Sequence, residues 1–227
     1  MKFSKVLSAL LLTLIMTAAA GKTAEVSFGL SADQDGLKSF YLSIGEHYKA
    51  PETEIMVVRK HNIPDDEMPV VFFISRHGDV DAKLVVKLRS EGKSWFEISA
   101  HFGLSPEVYY VSFDRDPGPP YGKAWGHYKD KKRKDWHKIH LSDGDVVNFV
   151  NIKFMSERYG YTPDEIVKMR GKKQGFVNLN AKVKKHKHDK QRKAKLQANS
   201  KKSGKTASTK NKSKGKDKKK GKGKGSK

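Results

Sequence analysis

The chain has no cysteine in 227 residues. This excludes disulfides, a thioether lipid anchor and thiolate metal sites. Proline is scarce, eight in all, and none follows Pro163. After the first 20 residues no run is apolar and long enough to span a bilayer, which takes about 20 residues. From Lys190 onward there is one leucine, Leu196, and no aromatic residue, valine or isoleucine. Acids are nearly missing from the same end. Residues 182–227 hold 21 of the 47 basic residues and only Asp189 and Asp217 against them, a net +19 out of +22. The first 181 residues, with 26 bases and 23 acids, are close to neutral.

The N-terminus reads as a signal peptide over 1–20. Lys2 and Lys5 form a basic start, Val6 to Met16 an apolar stretch, and Ala18, Ala19 and Ala20 a small-residue cleavage site. The expectation is export to the periplasm, cell envelope or medium, with no transmembrane span after cleavage. Residues 21–35 read as a flexible lead-in.

One pattern occurs three times. Each copy opens with aromatic, aliphatic, serine: Tyr41-Leu42-Ser43, Phe73-Ile74-Ser75 and Phe154-Met155-Ser156. An aliphatic residue with an arginine four places on follows: Ile55 and Arg59, Val85 and Arg89, Ile166 and Arg170. Nine and thirteen residues beyond each arginine stand Met68 and Phe72, Ile98 and Phe102, Leu179 and Val183. Spacings of three and four place these residues on single helix faces. Thr162 before Pro163, Asp164 and Glu165, and Ser94 three residues before Glu97, are helix-start signals. Arginine at a helix C-terminus suits the dipole. The expected fold is all-α, a compact bundle of short helices built from a recurring three-helix unit. Helices are expected at 36–48, 51–61, 65–77, 81–91, 94–103, 143–159, 163–171 and 175–190. The units occupy 36–110 (two copies) and 143–183. Between them, 111–142 reads as a long irregular insertion, and 184–227 as a disordered basic tail. Val108 to Phe113 is the best candidate for a strand.

The run Val85 to Leu104 carries Leu88-Arg89, Gly92, Ser94, Trp95, Glu97, Ile98 and Ser99. It resembles a segment of uncharacterised exported bacterial proteins with the pattern LR-x(2,3)-G-x-[SG]-W-x-E-I-[AS]. The resemblance implies a helical module and export and supplies no activity. The third copy departs from it, with Gly175, Phe176, Asn178 and Leu179 at the corresponding places. The same run is similar to a helix-turn-helix around Gly103, but the acids and prolines that soon follow Ser105 leave no room for a recognition helix. GPPYGK at 118–123 has too few residues between its glycines for a phosphate loop and too much proline. His137 and His140 beside Asp135 and Asp143, and His186 with His188, have only weak metal spacing. No catalytic constellation, cofactor or metal is implied.

Two segments are candidates for binding. Lys182, Lys184, Lys185, Lys187, Lys190, Arg192, Lys193, Lys195, Lys218, Lys219 and Lys220 offer point charges to polyanions, with binding governed by counterion release. In the insertion, Tyr121, Trp125, Tyr128 and Trp136 alternate with bases including Arg133. Such rings stack on sugars or nucleobases, or else pin the segment to the body. The expected partner is an anionic polymer: acidic glycan, lipopolysaccharide, anionic lipid or extracellular nucleic acid. The leading expectation is a non-enzymatic exported protein. Its rivals are a nucleic-acid binder of the histone-tail kind and an envelope enzyme using the insertion as its substrate platform.

Overall fold

The most apolar segment, Met68-Pro69-Val70-Val71-Phe72-Phe73-Ile74, is buried at every position. A helix apolar all round belongs at the centre of a fold, and α3 (Met68–Gly78) lies there. The structure is a computed structural model that describes residues 32–171 and 174–212, with side chains at 35–171 and 174–199. The remaining helices are α1 (Ala32–Tyr48), α2 (Glu52–Lys60), α4 (Ala82–Ser90), α5 (Trp95–His101), α6 (Gly122–Lys129), α7 (Asp143–Tyr159), α8 (Pro163–Arg170) and α9 (Phe176–Lys212). Short 3-10 turns stand at Asp65–Glu67, Pro106–Tyr109 and Arg133–Lys138. The protein is all-helical, with no strand among the described residues.

α3 packs on α1, α4 and α7, and α7 in turn on α8 and α9. α7 buries Val146, Phe149, Val150, Ile152, Phe154, Met155 and Tyr159. Start signals operate as their chemistry requires. Ser94, Ser142 and Thr162 each form a reciprocal capping box, with Glu97, Asp145 and Glu165 respectively. Trp95, Ile98, Leu179 and Val183 are buried in one core.

Several expectations change. Tyr109, Val111 and Phe113 are buried in alternation, but the chain there finds no partner strand and stays a 3-10 turn followed by extended backbone. Where a second helix would follow Gly103 stands only the 3-10 turn Pro106–Tyr109, and the helix-turn-helix likeness ends there. α1 starts at Ala32, inside the stretch read as flexible. The insertion is not irregular throughout, since it contains α6 and a 3-10 turn. Its breakers at Gly118, Pro119 and Pro120 mask the helical spacing of Tyr121, Trp125 and Tyr128.

The largest difference is at the C-terminus. α9 covers the helix expected at 175–190 and runs on to Lys212, into the 184–227 stretch read as tail. Lysine, arginine, glutamine, alanine and leucine are favourable helix formers, and no proline stops them. The signal peptide at 1–20 and Lys218, Lys219 and Lys220 lie outside the described residues.

Candidate functional site

α9 is anchored by Phe176, Leu179, Asn180 and Val183, all buried. The same stripe continues through His186, whose Nδ1 lies 2.9 Å from the Tyr161 hydroxyl. Lys187 and Lys190 place their ammonium groups 5.7 Å from the rings of Tyr159 and Tyr161. Lys182 Nζ donates to the Met169 carbonyl at 2.6 Å, and Lys184 Nζ to Ser39 Oγ at 2.9 Å. These five residues are partly spent on the body. Lys185, Arg192, Lys193 and Lys195 are exposed. Leu196, 63% exposed, is the lone large apolar side chain described past Val183.

The insertion turns its rings inward. Tyr121, Trp125, Tyr128 and Trp136 are all buried. The Tyr128 hydroxyl donates to the Pro106 carbonyl at 2.7 Å, and Trp136 Nε1 to the Tyr128 carbonyl at 3.0 Å. Arg170 Nη1 donates to the Tyr121 hydroxyl at 2.6 Å. Burial raises the hydroxyl pKa of Tyr121 and Tyr128. Arg133 stays outside, 5.4 Å from the Trp136 ring, with its Nε 2.9 Å from Glu107. The ring faces are thus used mainly in packing, and the segment's exposed surface is largely basic.

The recurring arginines hold more than helix dipoles. Arg89 Nη1 donates to Asp143 at 2.6 Å and Nη2 to Glu67 at 3.0 Å, while its guanidinium sits 4.4 Å from the Trp95 ring. The same carboxylates accept from Trp95 itself, Asp143 from its backbone N–H at 2.7 Å and Glu67 from its Nε1 at 2.9 Å. Arg170 repeats the fold-back onto the next helix, 3.8 Å from the Phe176 ring. The Phe176 N–H donates to Asp66 at 2.9 Å. Arg59 lies 5.6 Å from the Tyr41 ring, and the Tyr41 hydroxyl donates to Asp65. Three consecutive acids, Asp65, Asp66 and Glu67, therefore serve all three arginine neighbourhoods. These contacts are structural.

The residues with weak metal spacing make other contacts. His140 packs on Phe96 at 4.4 Å, His137 Nδ1 lies 2.8 Å from the Lys134 carbonyl, and Asp135 pairs with Lys138. Asp143 belongs to Arg89. Among the described residues no group of three or more His, Asp or Glu stands where it could hold a metal ion.

A polar hollow of about 230 Å³ opens where the C-terminal portions of α1, α3 and α7 meet, lined by His47, Tyr48, Phe73, Arg76, His77, Lys153, Phe154 and Glu157. Sequence reasoning singled out none of its charged residues, because they come from three distant segments. The available signal was small: Arg76 and Glu157 each follow the recurring serine. His47 Nε2 lies 3.4 Å from Glu157. That hydrogen bond, and then the charges of His47, Lys153 and His77, hold the Glu157 carboxyl below its usual pKa against the opposing effect of burial. Burial first, and then the Lys153 charge, lower the His77 pKa. Burial also lowers that of Lys153, with Glu157 opposing. A second polar hollow of about 360 Å³ shares Tyr48 and Arg76 and adds Glu54, Ser75, Asp79 and Asp81. An apolar groove of about 390 Å³ lies between α1 and α2 around Leu42, Pro51 and Ile55.

No described helix is long and apolar enough to cross a membrane. No protein-family model, curated protein or solved structure matches the chain.

Proposed function

We propose that this is an exported, non-enzymatic helical protein that holds to an anionic polymer through α9. The carrying observation is the exposure of Lys185, Arg192, Lys193 and Lys195 on a helix whose one acid is Asp189. A helix of 37 residues is about 55 Å long at 1.5 Å per residue. The four exposed cations are presented at helical spacing along it. Lysine supplies charge with little demand on the partner's geometry, so acidic glycan, lipopolysaccharide, anionic lipid and extracellular nucleic acid all suit the surface. The leader-like start at 1–20 supports action in the periplasm, cell envelope or medium. The shared arginine geometry at Arg89 and Arg170 supports a body assembled from a repeated three-helix unit.

The reading is tested by replacing Lys185, Arg192, Lys193 and Lys195 together with glutamate, a change of eight charge units. Affinity for heparin and for anionic vesicles is then measured at fixed salt. A loss of tenfold or more is expected, because each neutralised contact releases counterions. Unchanged affinity for every polyanion would remove the basis of the reading.

A further inference from the structure

We propose that the hollow between α1, α3 and α7 binds a small oxyanion, the carboxylate or phosphate group of a compact acid, through Arg76, His77 and Lys153. Few of its donors are engaged by other protein groups. Lys153 Nζ makes a single long hydrogen bond, 3.4 Å, to the Tyr110 carbonyl. It belongs to none of the ion pairs among the described residues. An ammonium has three donors, and burying one is costly; the Glu157 charge offsets part of that cost, although that carboxylate pairs directly with His47.

Arg76 spends one donor on the Tyr48 carbonyl, leaving most of a guanidinium fork of the kind that suits carboxylate and phosphate. His77 lies against Phe73, ring centroids 4.2 Å apart, and its nitrogens make no hydrogen bond among the described residues. The hollow's one carboxylate, Glu157, is already engaged by His47.

Helix dipoles explain only part of this charge. His47, Arg76 and His77 stand in the last turns of α1 and α3, where a cation is favourable without any ligand. Lys153 does not. It stands before the last turn of α7, where burial disfavours its charge.

The volume, about 230 Å³, falls below the roughly 300–1,000 Å³ of sites for drug-sized ligands. It suits one charged group or one small acid. The apolar rings of Tyr48, Phe73 and Phe154 lower the local polarity and strengthen each charge contact. No α9 residue lines this site, and its test reads a ring outside the basic helix.

The test uses the full chain with 15N-labelled histidine, the His77 signal being assigned from H77Q. Sodium phosphate and sodium acetate are titrated separately, with sodium chloride at matched ionic strength as the control. A saturable His77 shift is expected with at least one oxyanion and not with chloride. R76Q and K153M should each weaken it about tenfold, the worth of a charge-assisted hydrogen bond. Tighter phosphate binding identifies a phosphate ligand, and tighter acetate binding a carboxylate. Dispersed signals from the remaining histidines report that a variant is folded, and exposed Arg76 supplies a variant with little packing to lose. The proposal is overturned if neither oxyanion gives a saturable shift, or if the shift survives both substitutions at unchanged affinity.

Discussion

Arg89 shows what one side chain does in this fold. Its guanidinium joins Glu67 on one side and Asp143 on the other, beneath the Trp95 ring. Replacing it with methionine keeps much of the packing but leaves two partly buried carboxylates facing each other. The expected cost is about 2–3 kcal/mol, read as a lower denaturation midpoint with an unchanged slope. Asp66→Ala should also destabilise, since it removes the acceptor for the N–H groups of Phe176 and Val177 at the start of α9. The acid pH response follows from His77 and Glu157. Both have folded-state pKa values below their ordinary ones, so the unfolded chain binds more protons in each case. Stability is therefore full above the ordinary values and falls on acidification. The fall begins near pH 6.5 for His77 and near 4.5 for Glu157. In H77Q the melting temperature should stay flatter between pH 7 and 5 while the loss below 4.5 remains. Residue roles of this kind were the least legible part of the sequence. Arg59, Arg89 and Arg170 stood out through their recurrence, but their acceptors are long-range. Nothing in the local sequence marks Asp66 as the cap of a helix 110 residues away.

At the scale of elements, local signals were sufficient where punctuation and period agree. Ser94 with Glu97, and Thr162 with Pro163 and Glu165, mark α5 and α8 to within a residue or two. α6 was missed because glycine and proline around it outweighed the spacing of Tyr121, Trp125 and Tyr128. α9 was cut short for a different reason. An apolar stripe was the criterion for a helix, and the stripe ends near Val183, but intrinsic propensity carries the backbone on to Lys212. Past Lys190 the described side chains of that helix, 191–199, are all exposed, and like charges repel along it. Its helicity should therefore depend on screening. Circular dichroism of the full chain is expected to gain helical signal with salt or with added heparin. A chain ending at Lys190 should show no such gain and should melt at nearly the same temperature. The inward rings of the insertion carry a related lesson. Composition identified a segment rich in aromatics and bases, and only the packing separates the buried Trp125 and Trp136 from the exposed Arg133.

For the whole molecule, charge and fold are divided along the chain. A nearly neutral helical body ends in a helix that begins in the core and leaves it carrying lysine. Composition makes that division visible, and the structure refines where it falls. Val183 is fully buried and His186 meets Tyr161, so the body extends to about Lys190, and a cut at Lys182 would damage it. A chain ending at Lys190 loses 16 of the 47 basic residues and keeps the anchoring stripe. The most direct measurement is the binding constant for one anionic polymer, heparin, as a function of salt, for the full chain and for the chain ending at Lys190. The account predicts a steep linear fall of log affinity with log salt for the full chain, and a much weaker, shallower dependence for the shortened one. Equal affinities and equal slopes would contradict it and move the polyanion site onto the body.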